Sequence, residues 1–238
     1  IAFGLGFGNS MFAIGLNSQL PHLIEGEHLL KTNAWITSAS SAAMVGGSLV
    51  SGLLVAAFGF ETVFALNVVT YLLAALFILP LRFSKPAPSD EPSHERGEWA
   101  ALLRGLRSTP VVAAMLAVAM ADTLGSAAHN VGFPIVSRLL TPESASTTLG
   151  LMLAVWACGK LIGARIASRL KGSDNENLER RFFFGVLLMS CGFILMFQQQ
   201  TLYGLLLFSL PAGLGDGFSE VGLMSRLQRE PDSLRLPI

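Results

Sequence analysis

Charge is what this sequence has least of. Only 13% of its residues are Asp, Glu, Lys or Arg against 52% hydrophobic, and mean hydropathy is +0.57, where a soluble domain carries about 25% charged residues. That balance excludes a water-soluble globular domain and belongs to a chain that lives in lipid. The charges present cancel, 16 basic against 16 acidic, so no net field points to nucleic acid or an acidic partner. Cysteine is nearly absent. Cys158 and Cys191 stand alone in apolar runs, which argues against a disulfide framework or a metal site and makes both packing residues. Neither the HExxH pair of a zinc hydrolase nor the GxSxG nucleophile elbow occurs, so no enzyme, cofactor or metal is expected. No basic segment precedes the first apolar run, so there is no signal peptide to read, and the chain is expected to be a piece of a longer one.

Long apolar runs, by contrast, are abundant. A membrane helix needs about 20 mostly apolar residues, and seven stretches qualify: Ile1–Leu20, Ala34–Phe58, Thr62–Leu81, Pro110–Ser137, Ser146–Leu170, Phe182–Phe197 and Leu202–Leu223. The expected fold is all-α, a polytopic transmembrane helix bundle. Between the third and fourth runs lies "RFSKPAPSDEPSHERGEW", whose prolines, serines and alternating charges read as a solvated linker. "EWAALLRGLRS" after it reads as a short amphipathic helix on the membrane surface. Fourteen of the 16 Lys and Arg fall on one set of alternating loops, around 31, 82–107, 165–181 and 226–235. The opposite loops hold only Arg138, and Lys160 lies within a span. The positive-inside rule then makes the linker cytoplasmic and puts Ile1 outside. The third and sixth runs are almost purely apolar and are expected on the lipid-facing side.

An internal repeat is also visible. "GLGFGNS" at Gly4–Ser10 returns as "GLGDGFS" at Gly213–Ser219, and the same offset superposes Gln19 on Gln228. Parallel repeats occur in helical transporters, with the substrate site near the midplane between the halves.

The ionisable groups inside the spans are functional candidates, because a charge at the bilayer centre costs roughly 2.5–3.5 kcal/mol on insertion scales. Asp122 and His129, seven apart in "AMADTLGSAAHNVGF", share a helix stripe with Ser126 and, slightly rotated, Asn130. Asp122 reads as a protonation switch or as a structural carboxylate bonded to a neighbouring helix. His129 reads as a proton relay or a packing residue. Pro134 should kink the same helix. In the last run, Asp216 and Glu220 lie one turn apart, with Gly213 and Gly217 permitting close approach of a neighbour. Asp216 is the deeper of the two, and Glu220 is placed to pair with Arg226. Lys160 has three readings: to neutralise Asp122 or Asp216, to attract an anionic substrate, or to snorkel toward the cytoplasm. Arg165 is assigned to lipid headgroups or a cytoplasmic gate. Trp156, Phe133 and Phe218 form either an apolar cavity wall or ordinary packing. Asn9, at the repeat position of Phe218, joins Asn130, Ser126, Glu220, Lys160 and Trp156 as a cavity candidate. Gly47, Ser48, Ser51 and Gly52 form a small-residue helix-packing motif.

Three stretches carry a family resemblance. "LPHLIEGEHLLKTNAWITSASSAAMVGGSLVSGLLV" resembles the segment from helix four into helix five of the major facilitator superfamily, in the bacterial exporter branch that includes the enterobactin exporter. "GLMLAVWACGKLIGARIASRL" is similar to its helix eight, and "SRLQREPDSLR" to its loop between helices ten and eleven. The resemblance implies a partial major facilitator fold covering helices four to ten of twelve. Residues 1–82 would end an N-terminal helical bundle, 83–109 form the cytoplasmic linker, and 110–238 belong to a C-terminal bundle. It further implies a multi-pass protein of the bacterial inner membrane that exports a small amphipathic molecule, siderophore-like or drug-like, by proton antiport and alternating access. Its partners would be that small-molecule substrate, protons and the lipid bilayer. The sequence departs from the family where Gly47-Ser48-Leu49-Val50-Ser51-Gly52 replaces the proline and one glycine of the antiporter motif, and where Ala167-Ser168 stands in place of a loop aspartate. A lysophospholipid flippase or solute uptake carrier of the same fold fits these residues too, as does a non-transporting membrane sensor or assembly factor.

Overall fold

The computed structural model describes residues 26–78, 105–172 and 174–230 with isolated positions between 11 and 24; the side chains of residues 26, 27, 78 and 126–129 fall outside that description. Five long helices follow one another: α1 (Gly26–Ile78), α2 (Pro110–Leu140), α3 (Ala145–Arg169), α4 (Asn175–Phe197) and α5 (Leu202–Leu227), with a 3-10 turn at Pro142–Ser144. Among the described residues there is no strand, and the chain is an all-α membrane bundle. The run Ile1–Leu20 lies almost wholly outside the described residues, as do Asn9, the first arm of the repeat and the linker up to residue 104.

Among the described residues, four helices are long and apolar enough to cross a bilayer: α1, α2, α3 with its preceding turn, and α4. The α1 helix has 53 residues and would reach about 80 Å at 1.5 Å per residue, more than twice the ~30 Å hydrocarbon core. Gly59 divides it. Its φ of 79° and ψ of 168° are open to glycine and interrupt the helix, at the break expected between the second and third runs. Beyond Gly59, residues 60–77 are exposed except for the half-buried Val63. The α5 helix is 26 residues long but carries Asp216 and Glu220 in its apolar sequence.

Local chemistry marks the helix ends. Pro110 opens α2, where its missing N–H costs nothing, and the Thr201 hydroxyl accepts the Gly204 N–H at 3.2 Å to cap α5. After α3 the chain turns at Gly172, φ 83°. There Arg181 of α4 donates to the carbonyls of Leu170 (3.0 Å), Lys171 (3.2 Å) and Gly172, satisfying acceptors left over at the end of α3. The α2 helix runs through Pro134.

Small residues decide how closely these helices pack. On α5, a methyl at Gly213 would overlap the Trp156 carbonyl and one at Gly217 the Lys160 carbonyl, both on α3; on α3, Gly159 and Gly163 stand against the carbonyls of Leu210 and Leu214 in the same way. The other side of α5 does likewise to α4, through Gly215 and Gly222 against Met189 and Phe182. In a membrane such backbone approach replaces the hydrophobic drive that lipid cannot supply. Two apolar clusters result. Leu30, Ala34, Ala164, Ala167, Leu178, Phe218 and Val221 pack at one end, and Phe133, Met152, Met196 and Leu205 at the other.

Several expectations need correcting. Gly52 and Ser48 do face α3, with Gly52 lying 3.0 Å from the Ser146 carbonyl for a Cβ built there, but Gly47 meets open space. Ser51 is exposed, its hydroxyl turned back to the Ser48 carbonyl at 3.3 Å. The reason is rotation: positions 48 and 52 share a stripe four apart, and 47 and 51 lie about 100° around the helix from it. Cys191 is exposed and Cys158 half-buried, so only Cys158 has the packing role given to both. The α4 helix has two faces, with Gly185, Met189 and Gly192 buried and Phe184, Leu187 and Ile194 outward. Phe133 is buried against Phe193 and Phe197, ring centroids 6.3 and 6.1 Å away, and serves the core.

Candidate functional site

The close α3–α5 seam brings Lys160 against both acids of α5. Its Nζ lies 3.2 Å from Asp216 Oδ2 and 2.5 Å from Glu220 Oε2, and the three side chains are 19%, 16% and 32% exposed. One helical turn separates Asp216 from Glu220, so a single ammonium reaches both. The stem of Lys160 comes from the turn above Trp156, and Nζ sits 5.6 Å from that ring's centroid, where the π-face adds to its stabilisation. Lys160 thus meets Asp216, one of the two acids the sequence offered it, together with Glu220.

Glu220 also reaches α1. Its Oε1 accepts a hydrogen bond from the Thr37 hydroxyl at 3.1 Å, so three helices meet at one carboxylate. Arg226, expected to pair with Glu220, instead binds Glu179 of α4 at 2.9 Å and Glu230. Six residues of helix turn Arg226 well away from the Glu220 face, toward α4.

A cavity of about 200 Å³ opens beside the cluster, lined by Ala119, Asp122 and Thr123 of α2, Phe182 and Val186 of α4, and Asp216, Ser219, Glu220 and Leu223 of α5. Asp122, itself exposed, thus joins Asp216 and Glu220 on a helix whose neighbouring Met120 and Leu124 are exposed too. Asn130, on the same helix, is exposed and is not among the lining residues. The side chains of Ser126 and His129 lie outside the described residues. Trp156 is buried beneath Lys160 rather than lining this cavity, and Phe218 packs edge-on against Phe184 with centroids 5.8 Å apart.

With the helices, the buried ion cluster and the cavity placed, comparison with known families becomes decisive. A profile of the Major Facilitator Superfamily matches residues 1–233. The chain belongs to that superfamily. It is a membrane transporter of the major facilitator type, a class that acts on small-molecule substrates in a lipid bilayer. Comparison with curated proteins and with solved structures returns no match.

Sequence reasoning missed the contribution of α1 to this major facilitator site. Asn33, Thr37, Ser38 and Ser41 are all buried. Asn33 donates to Ser225 of α5 at 3.2 Å and to Gln228 just past its end, and Ser38 accepts from Arg165 of α3 at 3.0 Å. The signal was present, since Asn33, Thr37 and Ser41 recur every fourth residue and form one polar stripe on an apolar helix.

Proposed function

We propose that this protein exports a small amphipathic molecule in exchange for protons, by alternating access through the cavity between α2, α4 and α5. The observation behind the proposal is a grouping of acids: Asp122, Asp216 and Glu220 line one cavity, and Lys160 pairs with the last two. Carboxylate charge is costly in a low-dielectric site, so three acids around one cavity favour uptake of a proton or of an organic cation. Competition between the two for the same carboxylates is the physical basis of antiport. Asp122, the exposed member of the set, is the residue proposed to exchange its proton with water. Asp216 and Glu220 stay with Lys160, and through Thr37 the charge state of Glu220 bears on whether α1 remains against α5. His129, on the same helix as Asp122, is a candidate relay.

The grouping of acids also bears on substrate. Lys160 is engaged by two acids and is not presented to an anion, so a drug-like cation fits the site better than an anionic siderophore. The proposed setting is the bacterial inner membrane, with residues 83–109 on the cytoplasmic side. In inside-out vesicles from cells producing the protein, a pH gradient should drive accumulation of a lipophilic cationic dye, and Asp122→Asn should abolish that drive. An Asp122→Asn protein with unchanged gradient dependence removes Asp122 from coupling. Gradient-driven movement of a catecholate without movement of the dye overturns the choice of substrate class.

A further inference from the structure

A second cavity, also about 200 Å³, opens between α1 and α3 and is lined by Lys31, Ala34, Trp35, Arg165, Ser168 and Arg169. Three of its six lining residues are cations and none is an acid. Among the described residues, none of the three cations is ion-paired. Unlike most surface arginines, Arg165 is held in place. Its Nε donates to the buried Ser38 hydroxyl at 3.0 Å, and its guanidinium carbon stands 4.3 Å from the centroid of the Trp35 ring. Stacking and that one bond leave the N–H groups of both Nη atoms as further donors in a pre-organised planar fork. Trp35 is 64% exposed beside these cations, the combination found where hydrocarbon gives way to headgroups. Down the same side of α3, Ile166 and Ile162 are exposed one and two turns before Arg169, so an apolar strip runs directly into the cationic cavity.

We infer that this cavity binds the phosphate of an anionic phospholipid headgroup, with an acyl chain lying along Ile162 and Ile166. The Arg165 fork matches phosphate oxygens, and Lys31 and Arg169 supply the charge that a net-negative headgroup needs. A zwitterionic headgroup would carry its own ammonium among three cations and is disfavoured. Because the cavity is walled by both α1 and α3, the bound lipid stabilises their contact, whatever substrate the transporter carries.

The test is native mass spectrometry of the purified protein from micelles containing phosphatidylglycerol or phosphatidylcholine, with and without millimolar inorganic phosphate. Phosphatidylglycerol should be retained over phosphatidylcholine and should not be displaced by inorganic phosphate. The exposed pair Lys31→Gln/Arg169→Gln should weaken its retention about thirtyfold, while Lys171→Gln, outside the cavity, should leave it unchanged. Equal retention of the two lipids, or full retention by the double variant, overturns the inference. Displacement by inorganic phosphate assigns the site to free phosphate and overturns the lipid.

Discussion

Helices α5 and α2 each carry a carboxylate deep in an apolar sequence, yet they are held in opposite ways. The α5 helix is enclosed by α3 and α4 through Gly213, Gly215, Gly217 and Gly222, and Leu205, Ala212 and Val221 on it are fully buried. The α2 helix buries Val112, Met115 and Phe133 but leaves Met120, Leu124 and Val131 exposed around Asp122. Backbone contact therefore fixes Asp216 to within the reach of Lys160, whereas Asp122 lines the cavity from a helix whose neighbouring side chains are exposed. Two acids of one cavity thus differ in how closely the helices that carry them are enclosed.

The largest expected effect tests the fixed side. Lys160→Met leaves Asp216 and Glu220 without a cation and should lower stability by about 3 kcal/mol, the low end for a broken buried pair because these side chains are part-exposed. Adding Asp216→Asn and Glu220→Gln should restore most of that loss in thermal unfolding of the detergent-solubilised protein. If Lys160→Met melts like the parent, the cluster does not hold α3 to α5. Next in size, Gly213→Val forces a side chain into the Trp156 carbonyl and should cost about 1–3 kcal/mol. Gly125 on α2 has nothing near its Cβ position, and Gly125→Val should change stability by about 0.5 kcal/mol or less. Equal losses at the two sites would erase the contrast between the helices. The one expected gain is at Gly47 on α1, where Gly47→Ala points into open space and should raise stability by up to about 1 kcal/mol through helix propensity alone. A marked loss there would mean that Gly47 is packed after all.

Much of the fold was legible because it rests on local properties. Apolar runs of the right length located the helices, Gly59 fell where the second and third runs part, and Gly213 and Gly217 were recognisable as contact points from their spacing. The site was legible only as a set of candidates. Asp122, Asp216, Glu220 and Lys160 stood out because ionisable groups are expensive in lipid, but Lys160 had three possible roles and Glu220 was assigned the wrong cation. Thr37 drew no notice, since a single threonine in an apolar helix is unremarkable until the polar stripe through Asn33 and Ser41 is counted with it.

By itself, then, the sequence determined the solvent this chain folds in, the class of its secondary structure and which side chains would be costly to bury alone. Only the tertiary structure decided which of those side chains meet, placing Lys160 between Asp216 and Glu220, Thr37 on Glu220, and Arg165 on Trp35. Hydropathy and helical period are summed along a single helix, whereas pairing depends on the rotation and axial offset of one helix against another. Those quantities are set by contacts between residues far apart in the chain, and no local pattern encodes them.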